Sequence, residues 1–349
     1  MTADIIILGA GLTGLTLAKL LQDQGKDFLV LEARDRVGGR IKTIKTDNGT
    51  RVECGATWFF PHFKSLSKCL RDVNVNLKDQ FMSGYTLYEY NKVQEPRQIL
   101  TREDSDMLRI EGGTSQIVER LHSSLDSQRV VLSEAVVRIA RTRTGLEVES
   151  SGGGVRHCQY LVSTLPPQLL LASVEFQPGL PDSVRSVMAQ THTWMGDSVK
   201  TILTYSSPWW RRNNLSGALY SNTGPVVQMY DQSDEQGAAL VGFMDEKTAE
   251  LGPEERREEV ISQLVRVFGS EAADYTEYHD TIWRSEKFTM PAEAEKLPRQ
   301  NNVGHKVYQE TYMEGRLYIG GSETSTFAGG FMEGAVYSAN TIANKLSKL

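Results

Sequence analysis

The sequence predicts an α/β protein: a Rossmann-type, dinucleotide-binding domain interleaved with a second domain built on an antiparallel sheet. Three observations predict it. The chain opens on strand, glycine turn, helix, strand and acid. Its texture changes near residue 178 to a series of short strands. Near its end it returns to a strand, a glycine-rich turn and a helix.

The opening segment carries the most information. Asp4-Ile5-Ile6-Ile7-Leu8 runs into Gly9-Ala10-Gly11-Leu12-Thr13-Gly14, and an apolar run continues to Gly25. Phe28-Leu29-Val30-Leu31 then leads to Glu32. Gly9 permits a tight turn, Gly11 leaves room for a pyrophosphate, and Gly14 lets the helix pack close to the sheet. The helix N-terminus offers free N–H groups and the positive end of a dipole to phosphates. Glu32 stands about twenty residues on, where a carboxylate accepts hydrogen bonds from ribose hydroxyls.

Further elements follow in order. Gly112–Val118 starts a helix expected to reach about Leu125, and 130–132 and 136–139 read as short strands. Ser150–Gly154 reads as a hairpin turn between 146–149 and 155–162. Tyr160–Leu165 is a strand stopped by Pro166-Pro167. Beyond 178, the stretches 199–205, 217–220, 226–230, 238–243 and 276–283 read as antiparallel strands. After Pro253, 254–268 reads as an amphipathic helix. Arg316–Gly321 is a strand, and a helix begins near Gly330. The division expected is 1–60, 108–178 and 300–349 for the dinucleotide domain, with 61–107 and 179–299 for the substrate domain.

The segment after Glu32, Ala33-Arg34-Asp35-Arg36-Val37-Gly38-Gly39-Arg40, carries a second glycine pair that an NAD enzyme would not be expected to show. Here the chain resembles the flavin-containing amine oxidase family (monoamine oxidase-like). It reads as a short, bacterial-type member without the long helical insert. The resemblance covers most of the chain and implies the amine oxidase fold with bound FAD. Glu32, Arg34, Gly39 and Arg40 would hold the cofactor. Glu53-Cys54-Gly55-Ala56-Thr57-Trp58 is similar to the family segment beside the flavin ring, which puts Gly55, Ala56 and Thr57 against the cofactor. Trp58-Phe59-Phe60 suits either core or pocket lining. Ser133–Val137 resembles the strand whose valine backbone meets the adenine; Val136 is the choice, with Val137 the alternative register. By the same resemblance Glu323 meets the ribityl or phosphate region. Gly330-Phe331-Met332 opens a helix whose N-terminus stabilises negative charge on the flavin, with the Met332 N–H on its O2.

Trp194–Lys200 resembles the stretch whose lysine points at flavin N5 and holds a water there, a unit associated with reoxidation by dioxygen. Lys200 is therefore the catalytic candidate. An unpaired ammonium is an awkward choice for core packing. Covalent members attach FAD through a cysteine about nine residues after a tryptophan like Trp283; this chain has Thr289-Met290-Pro291-Ala292-Glu293 there, so FAD is expected to be non-covalent. Ala292 or Glu293 is expected opposite Phe331 in the substrate cage, where the family carries aromatic walls. The stretch 61–111 leaves a short lid. Together these suggest a substrate larger or more polar than a simple arylalkyl amine.

Composition bounds the rest. The 349 residues suffice for one large domain or two intertwined ones. A formal charge of −6 favours neither nucleic acid nor an anionic membrane. Apolar runs are strand-length, far short of the roughly 20 residues of a span. Asp4 and the lack of a basic lead argue against a signal peptide at 5–18. Three distant cysteines suggest reduced thiols and a cytoplasmic protein, and neither they nor the six His form a metal pattern.

The function expected is a FAD-dependent oxidoreductase taking hydride from a C–N or adjacent C–H bond of a small-molecule amine, with dioxygen as acceptor and hydrogen peroxide as product. Rivals are renalase-like oxidation of dihydronicotinamides, desaturation of a pathway intermediate, and a non-catalytic FAD-binding partner protein. The oligomeric state is left open.

Overall fold

The computed structural model describes residues 3–101 and 106–349. Two sheets organise it. The first has six strands in the order Thr311–Tyr312, Leu317–Ile319, Tyr160–Ser163, Ile5–Leu8, Phe28–Leu31 and Val130–Val131. All its pairs are parallel except the outermost, between 311–312 and 317–319. The strand Ile5–Leu8 is apolar at every position because both faces are covered. Ile5, Ile7, Val30 and Val162 face one core, with the helices Leu12–Asp23 and Met332–Leu346. Ile6, Leu8, Leu29 and Leu161 face the other, with Ile139 and Val148 of a separate four-stranded sheet.

The second sheet has seven strands in the order Glu277–Ile282, Val199–Tyr205, Ala238–Met244, Val226–Asp231, Leu215–Ser221, Gly84–Glu89 and Arg97–Thr101. Its pairs are antiparallel, save the parallel one between 215–221 and 84–89. The helix Pro253–Phe268 buries Val260, Leu264 and Phe268 in the core beneath it. Proline suits its first turn, where a backbone N–H has no helical partner.

Most expected elements lie within two residues of their observed bounds. The helix expected from 112 to 125 is Ser115–Ser123. The strands 84–89 and 97–101 are additions to those expected. Their alternation is blurred, because Arg97–Thr101 is an edge strand with Ile99 and Leu100 turned to solvent. The stretch 61–107 divides in two. The helix Lys64–Asp72 buries Leu66 and Leu70 in the core of the first sheet, while 84–101 joins the second sheet.

Among the described residues no helix is long and apolar enough to cross a membrane, and no cluster of three or more His, Cys, Asp or Glu could hold a metal.

Candidate active site

A cavity of about 640 Å³ runs from the C-terminal ends of the parallel strands to the seven-stranded sheet. Leu8, Leu31 and Thr164 mark its start, at or just past three of those strands. This is where open α/β sheets bind ligands.

Backbone shape builds this first end. Gly9 has φ +96°, a conformation that side chains disfavour. A Cβ at Gly14 would sit 1.9 Å from the Gly9 carbonyl oxygen, so that glycine lets the helix close on its own turn. A Cβ at Gly11 would meet nothing within 4 Å, and Gly11 lines the cavity: its missing side chain leaves space for a ligand. Glu32 is buried beside it. Its carboxylate accepts the Ala10 N–H at 2.7 Å and the Arg34 N–H at 2.9 Å, which fixes its direction. Each oxygen retains a lone pair for a hydroxyl. Arg34 reaches across to the 286–289 segment. It donates to Thr289 Oγ1 at 3.0 Å and the Phe288 carbonyl at 3.3 Å, and pairs with Glu286 at 3.5 Å. Lys287, Phe288 and Thr289 thereby wall the cavity opposite Glu32. Val136 and Val137 both line this end, so both registers of the strand touch it.

Arg40 and Gly39 line the middle. Arg40 donates to Ser322 Oγ at 3.0 Å, the Trp194 carbonyl at 2.7 Å and both oxygens of Glu323. Glu323 is not in the cavity wall. Its carboxylate is taken up by Arg40, the Ser322 hydroxyl and the Trp194 N–H. Burial pushes that carboxyl up, but Arg40 and the hydrogen bonds outweigh burial and hold it below its usual range. The Glu323 side chain therefore orients Arg40 from behind the wall.

Gly55 also stands behind the wall. It does not line the cavity; a Cβ there would lie 2.1 Å from the Arg40 carbonyl oxygen. Its smallness joins two backbones, whereas Ala56 and Thr57 do reach the wall. Gly330, Phe331 and Met332 also line it. Met332 begins the helix 332–346, and no side chain caps that end. Its first N–H groups lack helical partners and carry the positive end of the dipole.

Side chains build the far end. The Trp58 ring lies 4.8 Å from Tyr230, tilted at 59°, and 5.9 Å from Phe243. All three line the cavity, with Phe60, Met107 and Gln228. Gln80 anchors Trp58 by accepting its Nε1–H at 2.7 Å. Lys200 is fully buried behind this wall. Its Nζ donates to Thr57 Oγ1 at 3.1 Å and stands 4.7 Å from the Trp58 ring and 4.4 Å from the Phe243 ring. Burial pushes its pKa down to about 8, against the opposing charge of Glu53.

Ala292 and Glu293 are exposed and absent from the wall, which corrects the cage expected from them. Phe331 faces Trp194 instead, at 5.3 Å. The 286–289 part of that segment serves the opposite end of the cavity. Sequence reasoning missed Phe243 and Gln228. Their signal lies only in register: Phe243 pairs with Lys200 on one side and Gln228 on the other.

The whole length of the chain agrees with one family. A model described as flavin containing amine oxidoreductase matches residues 12–104 and 93–347. The chain belongs to that family. It is similar to amine oxidase [flavin-containing] B of Sus scrofa and of Homo sapiens, each 24% identical over 452 aligned positions covering 98% of this chain and 86% of the relative. That alignment is longer than the chain, so the relatives carry stretches that this chain lacks. Among solved structures, a putrescine oxidase superposes with a TM-score of 0.88 at 19% identity over 100% of both chains. Cyclohexylamine oxidase from Brevibacterium oxydans IH-35A gives 0.85 at 20% identity over 99% of both. The fold is the amine oxidase fold, and the protein is a FAD-dependent oxidoreductase. The residues present fit FAD: an open face at Gly11, a fixed carboxylate at Glu32 and an uncapped helix end at Met332 lie along one cavity. Cys54, Cys69 and Cys158 are buried and none lines it, so no thiol is placed to attach the cofactor.

Proposed function

We propose that this flavoenzyme is an amine oxidase. The amine loses two electrons and two protons to become an imine, and dioxygen takes them to give hydrogen peroxide. Bound FAD supplies the two-electron acceptor that links the halves. Gly9, Gly11, Gly14, Glu32, Arg34, Gly39, Arg40, Val136, Gly330 and Met332 would hold it, with Ala56 and Thr57 alongside. Gly55 and Glu323 support the site from behind. The two sheets are its cofactor and substrate domains, and the three buried thiols suit a cytoplasmic location.

The observation that carries this reading is the placement of Lys200. A buried ammonium behind an aromatic wall is a preorganised positive charge in a poorly solvated site, where developing negative charge is stabilised most. Trp58, Tyr230, Phe243 and Phe331 suit an amine with a flat, apolar body. That replaces the larger or more polar substrate expected from Glu293, which faces solvent.

The test is anaerobic mixing with amines, amino acids, polyamines and dihydronicotinamides. Arylalkyl or cycloalkyl amines are expected to bleach the flavin fastest, and air should restore the colour with stoichiometric peroxide. Bleaching by dihydronicotinamides alone would assign the protein to that chemistry instead. No bleaching by any donor would make it a binding protein.

A further inference from the structure

The substrate end of the cavity is mostly apolar, with Trp58, Phe60, Met107 and Phe243 in its wall, and Gln228 and Tyr230 bring polar groups to it. Both stand on the strand Val226–Asp231, two residues apart, so they share a face. The Gln228 Nε2–H donates to the Tyr230 hydroxyl. That hydroxyl also meets the Tyr220 hydroxyl at 2.9 Å, and Tyr220 stands opposite Gln228 on the neighbouring strand. Burial pushes the Tyr230 phenol up; Tyr220, which takes its proton in the hydrogen bond, adds to this, and the N–H donated by Gln228 opposes it. The bonds therefore run from Gln228 through Tyr230 to Tyr220, which lies outside the cavity wall. Both rings are held. Trp58 packs on Tyr230 at 4.8 Å, and Tyr88 stacks on Tyr220 at 5.2 Å and 19°.

This network commits the amide nitrogen and leaves the amide oxygen. Among the described residues Gln228 Oε1 accepts from no donor, yet it is not sealed within the protein. An amide oxygen there has two lone pairs to offer a ligand. Its distance from the chemistry follows from the sheet. Lys200, Phe243 and Gln228 are cross-strand neighbours in that order, so the Lys200 and Gln228 backbones lie two strand spacings apart, roughly 10 Å. A molecule whose amine stands at the Lys200 end of the wall and whose flat body lies along Phe243 brings its far end to Gln228. We propose that Gln228 is a specificity-determining residue of the reaction: its Oε1 accepts a hydrogen bond from the far end of the substrate, an arylalkyl amine carrying a ring hydroxyl. This rests on the reading of the site as that of an amine oxidase. A second ammonium in the same place would lose its water against a neutral amide, which costs more than one hydrogen bond contributes.

Reaction and binding test this separately. Anaerobic flavin reduction is compared for para-hydroxyphenethylamine and para-methylphenethylamine, whose ring substituents are close in size and differ in the donor. The hydroxylated amine is expected to be favoured roughly 10-fold, the effect of one neutral hydrogen bond. In Gln228→Leu that preference should vanish, through weaker binding of the hydroxylated amine rather than a lower maximal rate. Gln228→Glu keeps an acceptor and should keep the preference. The corresponding para-hydroxy and para-methyl phenethyl alcohols have no amine to oxidise. Their Kd values, read from the perturbation of flavin absorbance, should show the same preference and the same loss in Gln228→Leu. Should Gln228→Leu fail to fold, Tyr230→Phe, which frees the amide nitrogen, is expected to reduce the preference by less. Equal use of both amines by the native protein, or a preference untouched by these substitutions, overturns the proposal. So does a preference for para-methoxyphenethylamine, which offers the amide only an acceptor. The amine oxidase reading fails separately, if no amine reduces the flavin while the two alcohols still bind with the expected preference.

Discussion

The two ends of the cavity are made in different ways. The nucleotide end is shaped by backbone: glycines at 9, 11 and 14 around the bound carboxylate of Glu32. The substrate end is shaped by side chains that converge from separate strands and loops, with Trp58 and Phe243 beside Lys200 and Tyr230 against Trp58. A backbone-built site follows from a few consecutive residues. A side-chain-built site follows from which strands pair, and in which register. The first should fail abruptly on small substitutions, and the second should degrade by degrees.

The sharpest test lies within one turn. Gly14→Ala places a methyl 1.9 Å from a carbonyl oxygen and is expected to abolish flavin binding and lower the Tm of the apoprotein. Gly11→Val meets no protein atom at Cβ and should leave the apoprotein Tm nearly unchanged while giving colourless protein. Flavin absorbance and thermal melts separate the two. Equal loss of stability in both would mean that Gly11 is structural. Acid precipitation of the native protein should leave FAD in the supernatant, since no cysteine lines the cavity; flavin in the pellet would contradict the non-covalent assignment.

At the substrate end, Lys200→Met is expected to slow reoxidation by roughly 100-fold while changing flavin reduction far less, the effect of removing one preorganised charge. Stopped-flow traces of both half-reactions decide it. In the native enzyme the reoxidation rate should fall as pH rises through about 8, because Lys200 then loses its proton. Trp58→Ala opens the wall without touching the nucleotide end. It should lower kcat/KM for an arylalkyl amine roughly 10-fold, on the scale of one lost aromatic contact and its buried area, with flavin content intact. The smallest effect belongs to Glu293→Ala. This exposed residue should change neither kcat nor KM for a diamine or a monoamine; a diamine-specific loss would restore Glu293 to the site.

What could be read from residue order tracks this contrast. The Gly9–Gly14 turn, Glu32 and the helix at Met332 were legible because a glycine's freedom and a helix end's dipole are local properties. Lys200 was named through resemblance; it is buried behind the aromatic wall and does not itself line the cavity. Glu323 and Gly55, named for the cofactor from the sequence, stand behind the cavity wall against Arg40. Each touches the cavity through Arg40, and a sequence does not show which of two adjacent groups faces a ligand and which holds it.

The sequence by itself determined the order of strands and helices, the dinucleotide turn, and the absence of a cysteine where covalent relatives carry one. These rest on periodicity, on backbone conformation and on residue type at a position. Tertiary structure alone decided that 286–289 closes over the nucleotide end and that Ala292 and Glu293 face solvent. It also set Phe243 beside Lys200 and Gln228 on the other side of Phe243. These facts depend on strand register and on segments distant in the chain, and a shift of one residue in register turns every side chain of a strand to the other face.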